Sequence, residues 1–312
     1  MAEKNIKIKT PSRLHLSLID MNGSHGRVDG GIGVALEEPC FEIVFKRSES
    51  TCGDSSALAK ELCKKLGVPG ADINIKKGIP DHVGFGSKTQ LSLALASGIC
   101  KLYGLEKRTR ELAEMVGRGG TSGIGVAAFE TGGFIMDGGH EAKKGFAPSR
   151  FSKCAPPPVL ARYDMPWWFV CAWPRESAKG AHGNEELDIF KKYCPIPASE
   201  VEKVSRIILT EILPSAAEGD IRVFGAGINM LQTTGFKKVE VGLKTKETGK
   251  LLGFLQKNSY GGGMSSFGPV CFGICETKNE ANSLAESVKS EFGEKSIDLI
   301  VSKANNTGAK WL

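Results

Sequence analysis

Pro80-Asp81-His82-Val83-Gly84-Phe85-Gly86-Ser87-Lys88-Thr89-Gln90 leads directly into Leu91–Tyr103, a stretch that is apolar nearly all round. A helix with that pattern is buried rather than amphipathic. Glycines at 84 and 86 let the backbone come close to an anion. Ser87, Thr89 and Gln90 open the helix, and the first N–H groups of a helix have no partner within it. A phosphate placed there accepts those N–H bonds and meets the positive end of the helix dipole. The plainer reading is a helix entry with a serine cap and a glycine turn, and the local residues leave both open. The spacing is not that of a Walker A loop.

On the N-terminal side, Ile6 and Ile8 alternate with lysines, and Leu14, Leu16 and Leu18 alternate after Pro11. Both runs predict half-buried strands, as does Phe41–Lys46. Leu58, Leu62 and Leu66 share a helix face that Gly67 and Pro69 end, and Ile73 and Ile75 begin another strand. On the C-terminal side a helix is expected near 107–116 and short strands near 126–130 and 133–137. The stretch 138–166, rich in Gly, Pro and Lys, reads as a loop or linker. A buried strand is expected at 167–173, helices near 199–213, 219–232, 245–257 and 278–291, and strands near 269–275 and 297–302. This is an α+β pattern. With 312 residues, two domains are expected, 1–160 and 161–312.

The charge balance is mild, 41 Lys and Arg against 35 Asp and Glu, a net +6. The cations are scattered with no aromatic-interleaved basic stripe, which argues against nucleic acid and fits a small anionic ligand. Nine cysteines occur without a CxxC pair, so no disulfide framework is expected and a reducing cytoplasm fits. The N-terminal residues lack the apolar core of a signal peptide, and no run of about 18 apolar residues suggests a membrane span.

Three further glycine-rich clusters stand out. Residues 23–33 carry Arg27, able to fork onto a carboxylate or phosphate, and Asp29, a candidate for ribose hydroxyls, a metal or Arg27 itself; the plainer alternative is a hairpin with a surface ion pair. Residues 117–125 place Arg118 as a ligand clamp or a helix C-terminal cation. Gly261, Gly262 and Gly263 precede Met264, Ser265 and Ser266, as a ligand loop or a flexible turn. His15 and His82 lie in or beside such motifs, as acid–base candidates or structural hydrogen-bonders. His25, His140 and His182 lack the spacing of a zinc site.

The order of these motifs resembles the GHMP superfamily of small-molecule kinases, through Pro11-Ser12-Arg13-Leu14, the loop Pro80–Lys88 and the loop Gly261–Ser266. That resemblance implies an N-terminal domain like domain 2 of ribosomal protein S5, followed by a ferredoxin-like domain. One departure matters. Several such kinases carry Ser-Gly-x-Asp after the phosphate-loop helix, whereas here the run is Ser122-Gly123-Ile124-Gly125, and glycine cannot orient a hydroxyl or accept its proton. Within the superfamily, Pro11–His15 with Leu18-Ile19-Asp20, Gly26–Leu36, His82–Leu91, Ser122–Gly125 and Gly132–Gly139 are similar to the archaeal β-ribofuranosylaminobenzene 5′-phosphate synthase family.

The resemblance implies condensation of phosphoribosyl diphosphate with 4-hydroxybenzoate or 4-aminobenzoate, losing diphosphate and carbon dioxide, in methanopterin biosynthesis. It makes Arg27, Asp29, His15 and Asp20 the catalytic candidates. The substrate-binding candidates are Arg13, Gly30, Gly31, His82, Gly84, Gly86, Ser87, Lys88, Thr89, Gln90, Arg118, Ser122, Gly123, Gly261, Gly262, Gly263, Ser265 and Ser266. Mg²⁺ is expected with the diphosphate, with no choice among Asp20, Asp29 and Asp137 as its aid, and ATP is not expected. A cytoplasmic homodimer is the expected form. An ATP-dependent kinase is the main alternative, and a regulator that binds phosphosugar without turnover is the third reading.

Overall fold

A computed structural model describes residues 5–142, 154–176 and 184–312; His182 and part of the expected linker lie outside them. The first half runs β1 (Ile6–Lys9), β2 (Ser12–Asp20), β3 (Arg27–Leu36), β4 (Glu42–Arg47), β5 (Cys52–Gly53), α1 (Ser56–Leu66), β6 (Ala71–Lys77), α2 (Ser87–Tyr103), α3 (Thr109–Met115), α4 (Gly123–Thr131), β7 (Phe134–Asp137), β8 (His140–Glu141) and β9 (Val159–Tyr163). The second half begins with β10 (Trp168–Pro174), α5 (Asn184–Tyr193) and α6 (Ala198–Ile207), and a π turn at Ile208–Ile212 joins α6 to α7 (Leu213–Glu218). Then follow α8 (Ile221–Leu231), α9 (Gly235–Gly242), α10 (Lys246–Asn258), β11 (Gly262–Met264), β12 (Cys271–Cys275), α11 (Lys278–Phe292), β13 (Ile297–Lys303) and β14 (Lys310–Trp311).

Three sheets form. One has the order β14-β1-β4-β6-β5, another β2-β3-β7-β9 with β8 also on β3, and the third β11-β12-β10-β13. In the third, alternate residues of β10 face two different cores. Val170 and Ala172 pack with Leu251 and Leu255 of α10 and Leu284 and Val288 of α11. Phe169 and Cys171 point the other way, into a core that also takes Leu14, Leu16, Phe45 and Leu95 from the first half. That core runs through both halves, and the chain end returns to the first sheet through pairing of β14 with β1. Residue 160, where the sequence suggests a division, lies within β9, which pairs with β7.

Two expectations need correction. Residues 126–130 form the body of α4, not a strand. Their β-like apolar density belongs to a helix buried on several sides, with Val126, Ala127, Ala128 and Phe129 all inaccessible, and alanine favours the helix where no alternation opposes it. The stretch 138–166 is not a single loop, since β8 and β9 occupy parts of it.

Candidate active site

Gly86 caps α2 in the left-handed region, φ 75°, and provides no side-chain cap. Ser87 is therefore the first helical residue rather than the cap. The amides of Thr89 and Gln90 return to the Gly86 carbonyl at 3.1 and 3.2 Å, and the entry to a 17-residue helix keeps its leading N–H groups free of any capping side chain. Gly84, φ 118°, turns its carbonyl inward, where Arg13 Nη1 donates to it at 2.5 Å and Ser265 Oγ at 2.7 Å. A Cβ on Gly86 would lie 3.2 Å from Arg13 Nε. The guanidinium thus lies directly under the loop, and glycine there keeps the two together.

Arg118 approaches the same helix start from the other side. Its Nε donates to Thr89 Oγ1 at 3.1 Å, and that hydroxyl lies 2.7 Å from Ser122 Oγ. Gln90 Nε2 donates to the Gly125 carbonyl at 2.8 Å, tying α2 to α4. Burial, followed by the charge of Arg118, pushes Arg13 down to about 10, partly offset by Glu186 and Glu240. Arg118 is also lowered by burial, and Glu186 opposes the shift. Arg13 and His15 retain some accessible surface although protein surrounds them. That combination describes side chains lining a recess. Two guanidinium groups at a helix N-terminus are the kind of donors a polyanion would need.

His15 completes its floor. The His15 N–H donates to Ser265 Oγ at 2.9 Å, and Ser266 N–H donates to the His15 carbonyl at 3.1 Å. Burial, then Arg13 and Lys237, hold its imidazole well below the ordinary histidine range, so the ring is neutral near pH 7. Its Nδ1 is buried and finds no hydrogen-bond partner among the described residues. A Cβ on Gly31 would lie 3.0 Å from His15 Nε2, so β3 gives way to the ring at that point.

The sequence reading passed over the groups that hold the serine segment. Lys237 is fully buried, ion-paired with buried Glu240, and donates to the carbonyls of Met264 at 3.1 Å and Ser266 at 3.5 Å. An i,i+3 Lys–Glu pair in a short helix looks in sequence like any solvated pair. The one local sign is Phe236 beside it, which is also buried. Glu186, on the unforeseen α5, is another acid whose charge reaches the recess.

The remaining candidates separate into those at a second corner and those in the framework. Asp29, φ 69°, lies 3.5 Å from His140. Arg27 is exposed and donates to the carbonyls of Gly138 and Gly139, each at 2.7 Å. Asp20 accepts from the amides of Asn22 and Gly23 at 2.7 and 2.8 Å and closes the β2–β3 turn. A Cβ on Gly30 would lie 3.3 Å from the Asp137 carbonyl. Asp137 is 4% exposed, and its Oδ1 accepts from Gly139 N–H at 3.0 Å. Burial pushes it up to about 7, with Asp29 adding to the rise while the Gly139 amide, His140 and Arg27 oppose it. Its Oδ2 lies 2.5 Å from where a Gly123 Cβ would stand, at the start of α4. His82 and Lys88 are exposed. Gly261, Gly262 and Gly263 are buried, and the last two pair with β12; only Ser265 and Ser266 of that cluster reach His15. Among the described residues no group of three or more His, Cys, Asp or Glu could hold a metal ion, and no helix is long and apolar enough to cross a membrane.

A glycine loop opening a buried helix, with a second segment carrying serines to it from the other half, defines a protein of the GHMP kinase type. The GHMP kinases N terminal domain matches residues 55–133 and the GHMP kinases C terminal domain residues 212–295. A homoserine kinase from Cytophaga hutchinsonii shares the fold, with a TM-score of 0.66 at 15% identity, covering 100% of this chain and 98% of that one. Two further proteins are similar in sequence. The beta-ribofuranosylphenol 5'-phosphate synthase of Archaeoglobus fulgidus is 41% identical over 98% of this chain and 99% of its own. That of Methanocaldococcus jannaschii is 42% identical over 97% and 99%. The chain belongs to the beta-ribofuranosylphenol 5'-phosphate synthase family.

Proposed function

We propose that the chain is a ribosyl-phosphate transferase that joins phosphoribosyl diphosphate to 4-hydroxybenzoate, releasing diphosphate and carbon dioxide. The observation that carries this reading is the pair Arg13 and Arg118 flanking the entry to α2, a recess suited to the several charges of a leaving diphosphate. The relatives are synthases of a phenol product, which favours the hydroxybenzoate over 4-aminobenzoate. Cytoplasmic location, a homodimer and a place in methanopterin biosynthesis belong to the same proposal.

The diphosphate leaves C1 of the ribose with its bonding electron pair. The ring carbon bearing the carboxylate attacks C1, and the carbon–carboxylate bond then breaks, returning its electrons to the ring. The leading amides of α2 with Arg13 and Arg118 stabilise the departing charge. Ser265, Ser266 and neutral His15 line the ribosyl phosphate. His15, being uncharged, adds no further cation to the floor. Mg²⁺ is assigned to the substrate, arriving with the diphosphate, as it ordinarily binds phosphates with one or two carboxylates at most.

Incubation with phosphoribosyl diphosphate, Mg²⁺ and carboxyl-labelled 4-hydroxybenzoate, without ATP, tests this. Labelled carbon dioxide and diphosphate in equal amounts are expected. Absence of both, with ADP formed from ATP and a small alcohol, would make the protein a kinase instead.

A further inference from the structure

We infer that Asp137 is the general base and acid for the acceptor phenol, taking the hydroxyl proton as the ring attacks and returning it after carbon dioxide departs. The inference rests on the transferase reading above and assigns a residue that reading does not use.

The geometry comes first. Asp137 pairs with Gly31 across β3 and β7, and directly opposed residues in a sheet project to the same face. His15 Nε2 lies against that face at Gly31, so Asp137 and His15 lie on one face of the sheet, on either side of Gly31. From Asp137 the polar groups continue to Gly123, whose neighbour Ser122 bonds Thr89, which in turn receives Arg118. The carboxylate therefore stands at the edge of the phosphate recess, at the start of α4. One oxygen, Oδ1, is fixed by the Gly139 amide; no hydrogen bond to the other is found among the described residues.

The surroundings suit the task. Asp29 and Arg27 face Asp137 from β3, His140 from β8, and no charged group from α4. Their balance and the burial put its titration where a group can both take and give up a proton near neutrality. Isolated burial of a carboxylate with no charge-neutralising contact is unfavourable for the fold, and proton transfer is a function that rewards it.

The step balances. As the C1–diphosphate bond breaks, the phenol proton passes to Asp137 Oδ2. The freed oxygen pair forms a carbonyl, and a ring electron pair forms the bond to C1. Loss of carbon dioxide then returns electrons to the ring, and the phenolate so formed recovers the proton from Asp137. No proton is gained or lost overall.

Asp137→Asn keeps the size and an oxygen for the Gly139 amide. With 4-hydroxybenzoate, kcat is expected to fall about 100-fold, the lower range for loss of an acid–base group, with KM for phosphoribosyl diphosphate unchanged. The acid limb of the wild-type kcat profile should be absent from the residual rate. A ring-difluorinated 4-hydroxybenzoate, already ionised at pH 8, should lose much less. Retention of more than a third of kcat would overturn the inference. So would a residual rate with the same acid limb, or a rise in the KM of phosphoribosyl diphosphate with kcat intact, which would mark a ribose contact. A melting temperature at or above wild type at pH 8 establishes that the variant folds. Failure of the wild type itself to release carbon dioxide would instead defeat the transferase reading.

Discussion

The two glycine clusters that look alike in sequence use glycine for opposite reasons. Gly84 and Gly86 lie in the left-handed region at φ 118° and 75°, and their freedom shapes a turn over Arg13. Gly261 needs closeness instead: a Cβ there would lie 2.3 Å from the Gly225 carbonyl oxygen, and one on Gly225 would lie 2.1 Å from the Tyr260 carbonyl oxygen. The first loop turns its backbone over the Arg13 guanidinium. The second lets α8 press against the backbone that delivers Ser265 and Ser266. A run of glycines therefore marks proximity to something, and only the fold says whether that is a ligand or another helix.

The largest effect should come from the anchor of the second loop. Lys237→Met leaves Glu240 as a buried, uncompensated charge, and breaking such a pair costs about 3–5 kcal/mol. Chemical denaturation should show that loss, and Lys237→Met with Glu240→Leu together should recover most of it. Gly225→Ala comes next. Its clash is with backbone, so a loss of about 1–3 kcal/mol is expected, seen in the melting temperature, while any folded fraction keeps its substrate KM. Gly86→Ala reverses the pattern. Forcing a left-handed residue costs only about 1–2 kcal/mol, but the loop shifts off Arg13, so donor affinity should fall more than stability does. An equal fall in stability alone would erase the distinction between the loops.

An effect of similar order lies in pH dependence. Asp137 binds its proton more tightly folded than unfolded, so the folded state holds more protons between the ordinary carboxylate range and about 7. Its contribution to stability is full below that range and is lost as pH rises to about 7, after which it is level. Calorimetric melts of wild type and Asp137→Asn across that window should diverge, with the variant lacking the decline.

Much of this was legible in the chain. The alternation of Leu14, Leu16 and Leu18 and the all-apolar run after Gln90 gave β2 and α2, because both patterns follow burial directly. The order of motifs identified the superfamily and the family. Short or doubly bounded elements were not legible: α9, with glycine at both ends, and α5 carry too few turns for a period to emerge. Residues 126–130 misled because a buried helix and a buried strand are equally apolar. Arg13, Arg118, His15, Thr89 and Ser265, singled out by their motifs, come together around the start of α2. Lys237 and Asp137 were not singled out for their roles, since a residue's burial and the elements facing it depend on contacts far away in sequence.

The central claim is that the donor's phosphates rest where Arg13, Arg118 and the start of α2 meet. Calorimetric titration of wild type and Arg118→Met with phosphoribosyl diphosphate and Mg²⁺ tests it most directly. Removing one charged hydrogen-bonding group costs about 1.5–3 kcal/mol, so affinity should weaken by roughly ten- to a hundredfold with melting behaviour unchanged. Equal affinity in the two proteins would contradict the account.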